Sequence, residues 1–385
     1  MYNHTLIGQL LQMFPRLEFQ KCVRETKAEY HARGFTSWNH FTAMLFGQLA
    51  GQDSLRGIEA GLATQSQSLC HLGITPVHRS TLSYANEHRS FGLFEKIFYH
   101  MLSKCRPLAP GHKFKFKNPL YSIDSSTIDL CLSLYDWALF RATKGAVKLH
   151  VKLNHSGYLP SFAVMTYAAV HDVTVSFGIP MEKGDVVVFD RGYNSLELFK
   201  TLENKGVFFV VRLKDGVLWR TLSRKDVSSY KHIRYDRIVE PITAYAKNRH
   251  ANKLRVVCSY DPVSGKTVRL ITNNFSWSPK TISQIYKERW QIELFFKTLK
   301  QQLKVKSFVG TSRNALLSQL WVALITYLLL SYLKFKSKFK WSIYTLCAVL
   351  PTNLFARRNL WDWLNNPFNQ KSDKPPDLQL RLAFG

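Results

Sequence analysis

Residues 184–216, GDVVVFDRGYNSLELFKTLENKGVFFVVRLKDG, constrain the fold more tightly than any other part of the chain. Val186 to Phe189 form an apolar strand that ends on Asp190. A turn containing Gly192 follows, Asn194 stands where a helix cap is expected, and VFFVV begins a second strand. Strand, helix and strand in so short a span call for a sheet with helices packed on it, an α/β core.

Neighbouring segments extend that sheet. PLYSIDSS, from Pro119, reads as a short strand ending near Asp124, and GAVKLHVKLN and YLPSFAVMTY read as two strands joined by the turn HSG. Beyond residue 216 the strand-like segments RYDRIVEPI, LRVVCSY and TVRLITN form a β-rich insertion over about 216–274. Residues 1–112 read as a helical N-terminal domain, with amphipathic runs at SWNHFTAMLFGQLAG and SFGLFEKIFYHMLSKC. Between those runs, DSLRGIEAGLA and GITPVHRSTLSYANEHR resemble two short helices joined by a turn. They are either a helix-turn-helix bearing Ser80, Thr81, Ser83, Tyr84, Asn86 and Arg89, or a plain structural pair. Residues 113–335 hold the core, and 336–385 a C-terminal helical segment and polar tail.

Charge narrows the partner. Lys and Arg number 53 against 26 acidic residues, a net charge of +27, which calls for a large polyanion. Nucleic acid fits this better than an anionic membrane. The basic runs GHKFKFKNP and KFKSKFK suit either phosphate contact or a solvated edge. Six scattered cysteines without a CxxC pair give no zinc ribbon and no disulfide framework, so a reducing cytosol is expected. The first 19 residues lack the marks of a secretion signal. The apolar run from Ala315, ALLSQLWVALITYLLLSYLKFK, is long enough to span a membrane, but Ser318, Gln319, Thr326, Tyr327 and Ser331 interrupt it. It reads as a buried core helix, and no membrane role is expected.

The segment 286–307, YKERWQIELFFKTLKQQLKVKS, reads as one helix. At about 100° per residue, Ile285, Ile292, Phe295, Phe296, Leu299 and Leu303 share a face. Tyr286, Arg289, Trp290, Glu293, Lys297, Lys300 and Lys304 share the opposite one. Taken alone, Arg289, Glu293 and Lys297 are also what an i,i+4 charge ladder on a solvated surface looks like. A Tyr and a Trp on the same polar stripe argue for something to stack on.

Three strands, a helical region, a strand, a helix, a strand and a long final helix is the order of a ribonuclease H-like fold. In that order Asp124, Asp190 and Glu293 converge at one edge of the sheet. Three packed carboxylates require cations, and oxygen donors suit Mg²⁺ or Mn²⁺ rather than zinc. Two such ions roughly 3.5–4 Å apart serve phosphodiester chemistry. Each residue has a plainer reading, Asp124 as a turn residue in IDSST and Asp190 as a helix cap. Asp129, Asp136, Asp172 and Asp185 are competing carboxylates. Lys148, His150 and Lys152 alternate along one strand face and either line the same groove or sit on a solvated face.

The spacing Tyr-x2-Arg-x3-Glu-x6-Lys, here Tyr286, Arg289, Glu293 and Lys300, resembles the signature of the IS-four family of bacterial insertion-sequence transposases with a DDE active site. SIDSSTIDL looks like that family's first-Asp motif and VVVFDRGYNSLELF like its second. The resemblance covers residues 119 to about 335, and the helical N-terminal region is similar to one found ahead of some members' cores. It implies that Asp124, Asp190 and Glu293 hold two Mg²⁺ ions, with Mn²⁺ as a substitute. It also implies that Tyr286, Arg289 and Lys300 contact DNA near the cleaved end. Trp290 could stack on an unpaired base, and Lys297, Lys148 and His150 extend the DNA-facing set. The function implied is cut-and-paste transposition: binding terminal inverted repeats, hydrolysing a strand and joining the 3′ hydroxyl to target DNA. Such an enzyme would act as a homodimer on paired ends in the bacterial cytoplasm, at the nucleoid. The alternatives are a ribonuclease H-like nuclease or resolvase that only cuts, and a non-enzymatic basic DNA-binding protein.

Overall fold

The structure is a computed structural model that describes residues 4–368 apart from 31, 142–143, 215–217, 263–264 and 306. The polar tail expected at the C-terminus lies outside the described residues from 369 onward, as do residues 216–217 and 263–264 of the expected insertion.

One mixed α/β sheet organises the chain. Its strands are β1 (Leu120–Leu130), β2 (Leu139–Arg141), β3 (Lys144–Asn154), β4 (Leu159–Tyr167), β5 (Val186–Phe189), β6 (Phe208–Arg212), β7 (Trp219–Lys225), β8 (Ile233–Pro241), β9 (Leu254–Tyr260) and β10 (Thr267–Thr272). The order across the sheet is β2-β3-β1-β5-β6-β10-β9-β8-β7, with β4 also paired to β3. β1, β3 and β4 run antiparallel, whereas β1, β5 and β6 are parallel. The β-rich stretch joins the same sheet, because β10 pairs antiparallel with β6.

Strand alternation decides what each face buries. On one face Leu120, Val186, Val188, Val210, Val257 and Leu270 meet Ile282 and Ile285 of the Pro279–Glu288 helix. On the other, Ile123, Val187, Phe189, Phe209, Val211 and Ile271 meet Leu198, Phe199 and Leu202 of the Leu196–Asn204 helix. With helices on both faces the central strands read as unbroken apolar runs.

A larger core spans both ends of the chain. The N-terminal helices, including Ser37–Leu49 and Gly92–Cys105, pack on the Arg313–Lys336 helix together with Ile292, Phe295, Phe296, Leu299 and Leu303. That long helix is the apolar run read from Ala315; it is long and apolar enough to cross a membrane, yet 94% of its most apolar window is buried. Its polar residues are largely absorbed locally. The Thr326 and Ser331 hydroxyls donate to the carbonyls of Val322 and Tyr327, both at 2.8 Å, and Gln319 holds the backbone of Ser307 and Val309.

Several boundaries differ from the sequence expectation. Asp124 is not at the end of a strand: β1 runs six residues further because β3 keeps pairing with it to Leu130, while β5 stops at Ile123. Ser195 rather than Asn194 caps the Leu196–Asn204 helix, accepting from the Leu198 N–H. A third helix, Ser66–Leu72, separates Leu55–Ala63 from Arg79–His88, so the expected two-helix pair is a three-helix run. The single helix expected over 286–307 is two segments, Pro279–Glu288 and Trp290–Lys297, followed by a π turn at Thr298–Gln302. Lys304 lies beyond it in the left-handed region, with φ of 49°. The wide turn lets Leu303 fold back onto the core, its N–H donating to Thr298.

Candidate active site

The site begins where β5 runs out. Ile123 is in register with Phe189, so the next residues, Asp124 and Asp190, stand side by side at the neighbouring-strand spacing of roughly 5 Å. Asp190 opens a tight turn by accepting the Gly192 N–H at 2.6 Å. A side chain at position 192 would put a Cβ 2.9 Å from that carboxylate, which is why a glycine suits it. Asp124 accepts the N–H of Ser125 at 2.8 Å.

Glu293 reaches the same place from the helix packed over that face. One guanidinium joins it to β1: Arg289 Nη1 lies 3.2 Å from Asp124 Oδ2, and Nη2 lies 2.6 Å from Glu293 Oε1. Arg289 is thus more than a rung of a surface charge ladder, since its second arm crosses 165 residues of sequence and its side chain is only 14% exposed.

The electrostatics are those of crowded acids. Burial, reinforced by the charges of Asp190 and Glu293, pushes the Asp124 carboxyl up to about 7, against the pull of the Ser125 N–H and of Arg289. Burial lowers the Arg289 guanidinium's proton affinity, but the bond to Glu293 and the charges of Tyr286 and Asp124 raise it further, for a net increase. Beneath the acids lies Tyr193, whose hydroxyl is pushed up by burial and by Asp124, Asp172 and Asp190.

The remaining expected residues divide into two groups. Tyr286 is half-buried beside Arg289, while Trp290, 56% exposed, and Lys297 face outward on the helix. Lys300 donates to the Thr127 carbonyl of β1 at 2.7 Å. Lys148 and His150 do not join them. Their register partners, Thr127 and Ser125, point to the opposite face of the sheet from Asp124. Lys148 pairs there with Asp172 at 3.2 Å, and His150 is buried against Thr166 with its imidazole pushed down to about 4 by desolvation. A neutral buried ring is no phosphate ligand. The face is not solvated either, because residues 170–185 cover it, and Lys152 is locked to Asp185 at 3.0 Å.

Of the competing acids, Asp185 is spent on Lys152, and Asp172 accepts from Lys148 and from the Ser125 hydroxyl at 2.8 Å. Asp129 and Asp136 are exposed elsewhere. Sequence reading missed Arg212, the exposed last residue of β6, close enough to Tyr286 to lower its hydroxyl's pKa against the raising effect of burial. A cation closing an apolar strand that neighbours the one ending on Asp190 was the available signal.

Among the described residues no three His, Cys, Asp or Glu side chains converge closely enough to hold a metal as they stand. The donor chemistry nevertheless fits a hard divalent cation: the acids at this edge are all carboxylates, and their mutual repulsion is what a cation relieves. In this structure the cation between two of them is Arg289.

Residues 115–329 match the family model of the transposase DDE domain, and residues 2–75 match a domain of unknown function, DUF4372. A protein named "Probable transposase for insertion sequence element IS5377", from Geobacillus stearothermophilus, is 30% identical over 268 residues, covering 69% of this chain and 70% of that one. "Putative transposase y4zB" of Sinorhizobium fredii (strain NBRC 101917 / NGR234) is 28% identical over 282 residues, 72% of this chain and 78% of that one. Among solved structures, a piggyBac transposase synaptic complex with hairpin DNA gives a TM-score of 0.44 at 11% identity, over 97% of this chain and 84% of that chain, a likeness too loose to carry an argument.

Proposed function

This chain belongs to the DDE-domain transposases of insertion sequences, and we propose that Asp124, Asp190 and Glu293 are the acids that carry its DNA cleavage and joining. The observation behind this assignment is the Arg289 fork, which brings Asp124 and Glu293 to one guanidinium at the strand end where Asp190 also stands. The reading of the core as ribonuclease H-like is supported by the order β4-β3-β1-β5-β6, three antiparallel strands followed by two parallel to the first. The spacing of Tyr286, Arg289, Glu293 and Lys300 supports the IS-four branch.

The acids would hold divalent cations, Mg²⁺ by preference with Mn²⁺ as substitute, which when bound activate the attacking hydroxyl and stabilise the leaving oxygen. The chain's own residues supply position. Asp124 and Asp190 are fixed by β1, β5 and the Gly192 turn, and Glu293 is delivered by a helix whose inner face is fully buried. Arg289, Lys297, Lys300 and Arg212 present cations to a phosphodiester backbone around the acids. Trp290 offers an exposed ring to a base freed at the cleaved end. Duplex DNA, as element ends and as target, is the partner, met by a homodimer on paired ends in the bacterial cytoplasm.

End selection we assign to residues 1–112. A shallow groove of about 450 Å³ between Leu55–Ala63, Arg79–His88 and Phe308–Val309 presents Arg56, Arg79, Ser80 and Ser83. Asn86 and Arg89 belong to the fold instead: Asn86 is hydrogen-bonded to His40, and Arg89 to the backbone of Phe35 and Thr36.

The test is an end-cleavage and strand-transfer assay with candidate element ends and Mg²⁺. Asp124→Asn, Asp190→Asn and Glu293→Gln should each lose cleavage while retaining end binding. Full cleavage by any one of them removes that residue from the triad. Cleavage by wild type without joining of a pre-cut end would point to a nuclease that only cuts.

A further inference from the structure

We infer that Arg289 is the resident counter-ion of Asp124 and Glu293, holding the place between them that a divalent cation needs and yielding it when DNA phosphate offers another partner. This rests on reading the three acids as metal-holding, and it adds an order of events that the reading does not contain.

The geometry points this way. Each arm of the fork takes an oxygen of a different carboxylate, at 3.2 and 2.6 Å. An Mg²⁺ ion draws its oxygens to about 2.0–2.1 Å and withdraws the negative charge that now holds the guanidinium, so the two cations compete for the same pair of acids. Arg289 therefore competes by charge. Its withdrawal would leave the mostly buried Asp124 without a cation partner. Withdrawal is favourable when two replacements arrive together, a cation for the acids and an anion for the guanidinium.

Arg289 sits at the junction of the Pro279–Glu288 and Trp290–Lys297 helices, where its N–H donates to Tyr286 and its carbonyl accepts from Ile292, both three-residue bonds at 3.1 Å. The Tyr286 ring, 5.8 Å from the guanidinium carbon, gives the displaced cation a second surface. The consequence is coupling: DNA raises metal affinity, and metal raises DNA affinity by the same factor.

The experiment reads metal binding rather than turnover. Mn²⁺ is titrated into the full-length protein with unbound ion followed by electron paramagnetic resonance, with and without a duplex oligonucleotide of arbitrary sequence. Once the ion taken up by the same duplex without protein is subtracted, wild type should bind Mn²⁺ at least tenfold more tightly with duplex present. Arg289→Gln should bind it tightly without duplex and gain little from adding it. Equal affinity of wild type with and without duplex would overturn the inference, and that arm needs no variant to fold. So would an Arg289→Gln protein that binds Mn²⁺ no better than wild type. Glu293→Gln serves as the separate check: if it keeps wild-type Mn²⁺ binding, the assignment of the acids fails instead.

Discussion

Lys300 spans from the π turn of the Glu293 helix to β1, where its ammonium donates to the backbone carbonyl of Thr127 at 2.7 Å, three residues beyond Asp124. This bond fixes the helix against the strand and so helps to set the separation between Glu293 and Asp124. Lys300→Ala should therefore slow cleavage at saturating DNA by about tenfold to a hundredfold, the scale of a misplaced catalytic group. If the saturated rate is unchanged and only affinity falls, Lys300 acts on phosphate alone.

The N-terminal groove makes a separate prediction. Arg56→Ala and Arg79→Ala should each reduce the slope of log affinity against log salt by roughly 0.9, the change expected for the loss of one phosphate contact. Cleavage of DNA already bound should be nearly unaffected. Unchanged slopes in filter-binding titrations would move the DNA path off this groove.

On the far side of the sheet the expectation is reversed. Lys148→Met removes the cation paired with Asp172, which also accepts the Ser125 hydroxyl beside Asp124. Thermal stability should fall while the salt slope stays that of wild type. A lower slope would return Lys148 to the DNA-facing set.

Acid should weaken the fold through its histidines. His40 and His155 are buried and held neutral, burial pushing each imidazole down to about 4, whereas the unfolded chain titrates near 6.5. Below pH 6.5 the unfolded chain takes up more protons, so a stability contribution fully present above that pH is lost as pH falls toward 4. The loss is up to about 3 kcal/mol for each group. The Tm difference between wild type and His40→Gln should shrink from pH 7.5 to 4.5. Parallel Tm curves would exclude His40.

Legibility in the sequence followed the range of the forces involved. Asp190 was readable because an apolar run, an acid and a Gly turn are local, and the buried stripe from Ile285 to Leu303 because it follows one helix's period. Asp124 was located, but the continuation of β1 past it depends on β3, whose paired residues lie 15 to 25 positions further along the chain. The alternation of Lys148, His150 and Lys152 was visible, yet which face they took was not. Side-chain period gives two faces and only tertiary packing says which one meets Glu293. The junction at Arg289 left no mark, since every residue around it forms helix readily. The contact its side chain makes with Asp124 on β1 is likewise encoded by no local pattern.

Because the Arg313–Lys336 helix is wrapped by residues from both ends of the chain, the gene cannot be freely recombined at the apparent seam near residue 112. A hybrid that inherited its first 112 residues from a divergent relative would lay a foreign surface on Leu316, Leu320 and Leu324, and Phe98 would have to interlock anew with Trp321, now 5.1 Å away between ring centres. The part read here as choosing the DNA end is therefore co-inherited with the helix behind the chemistry, and drift in one has to be answered by the other.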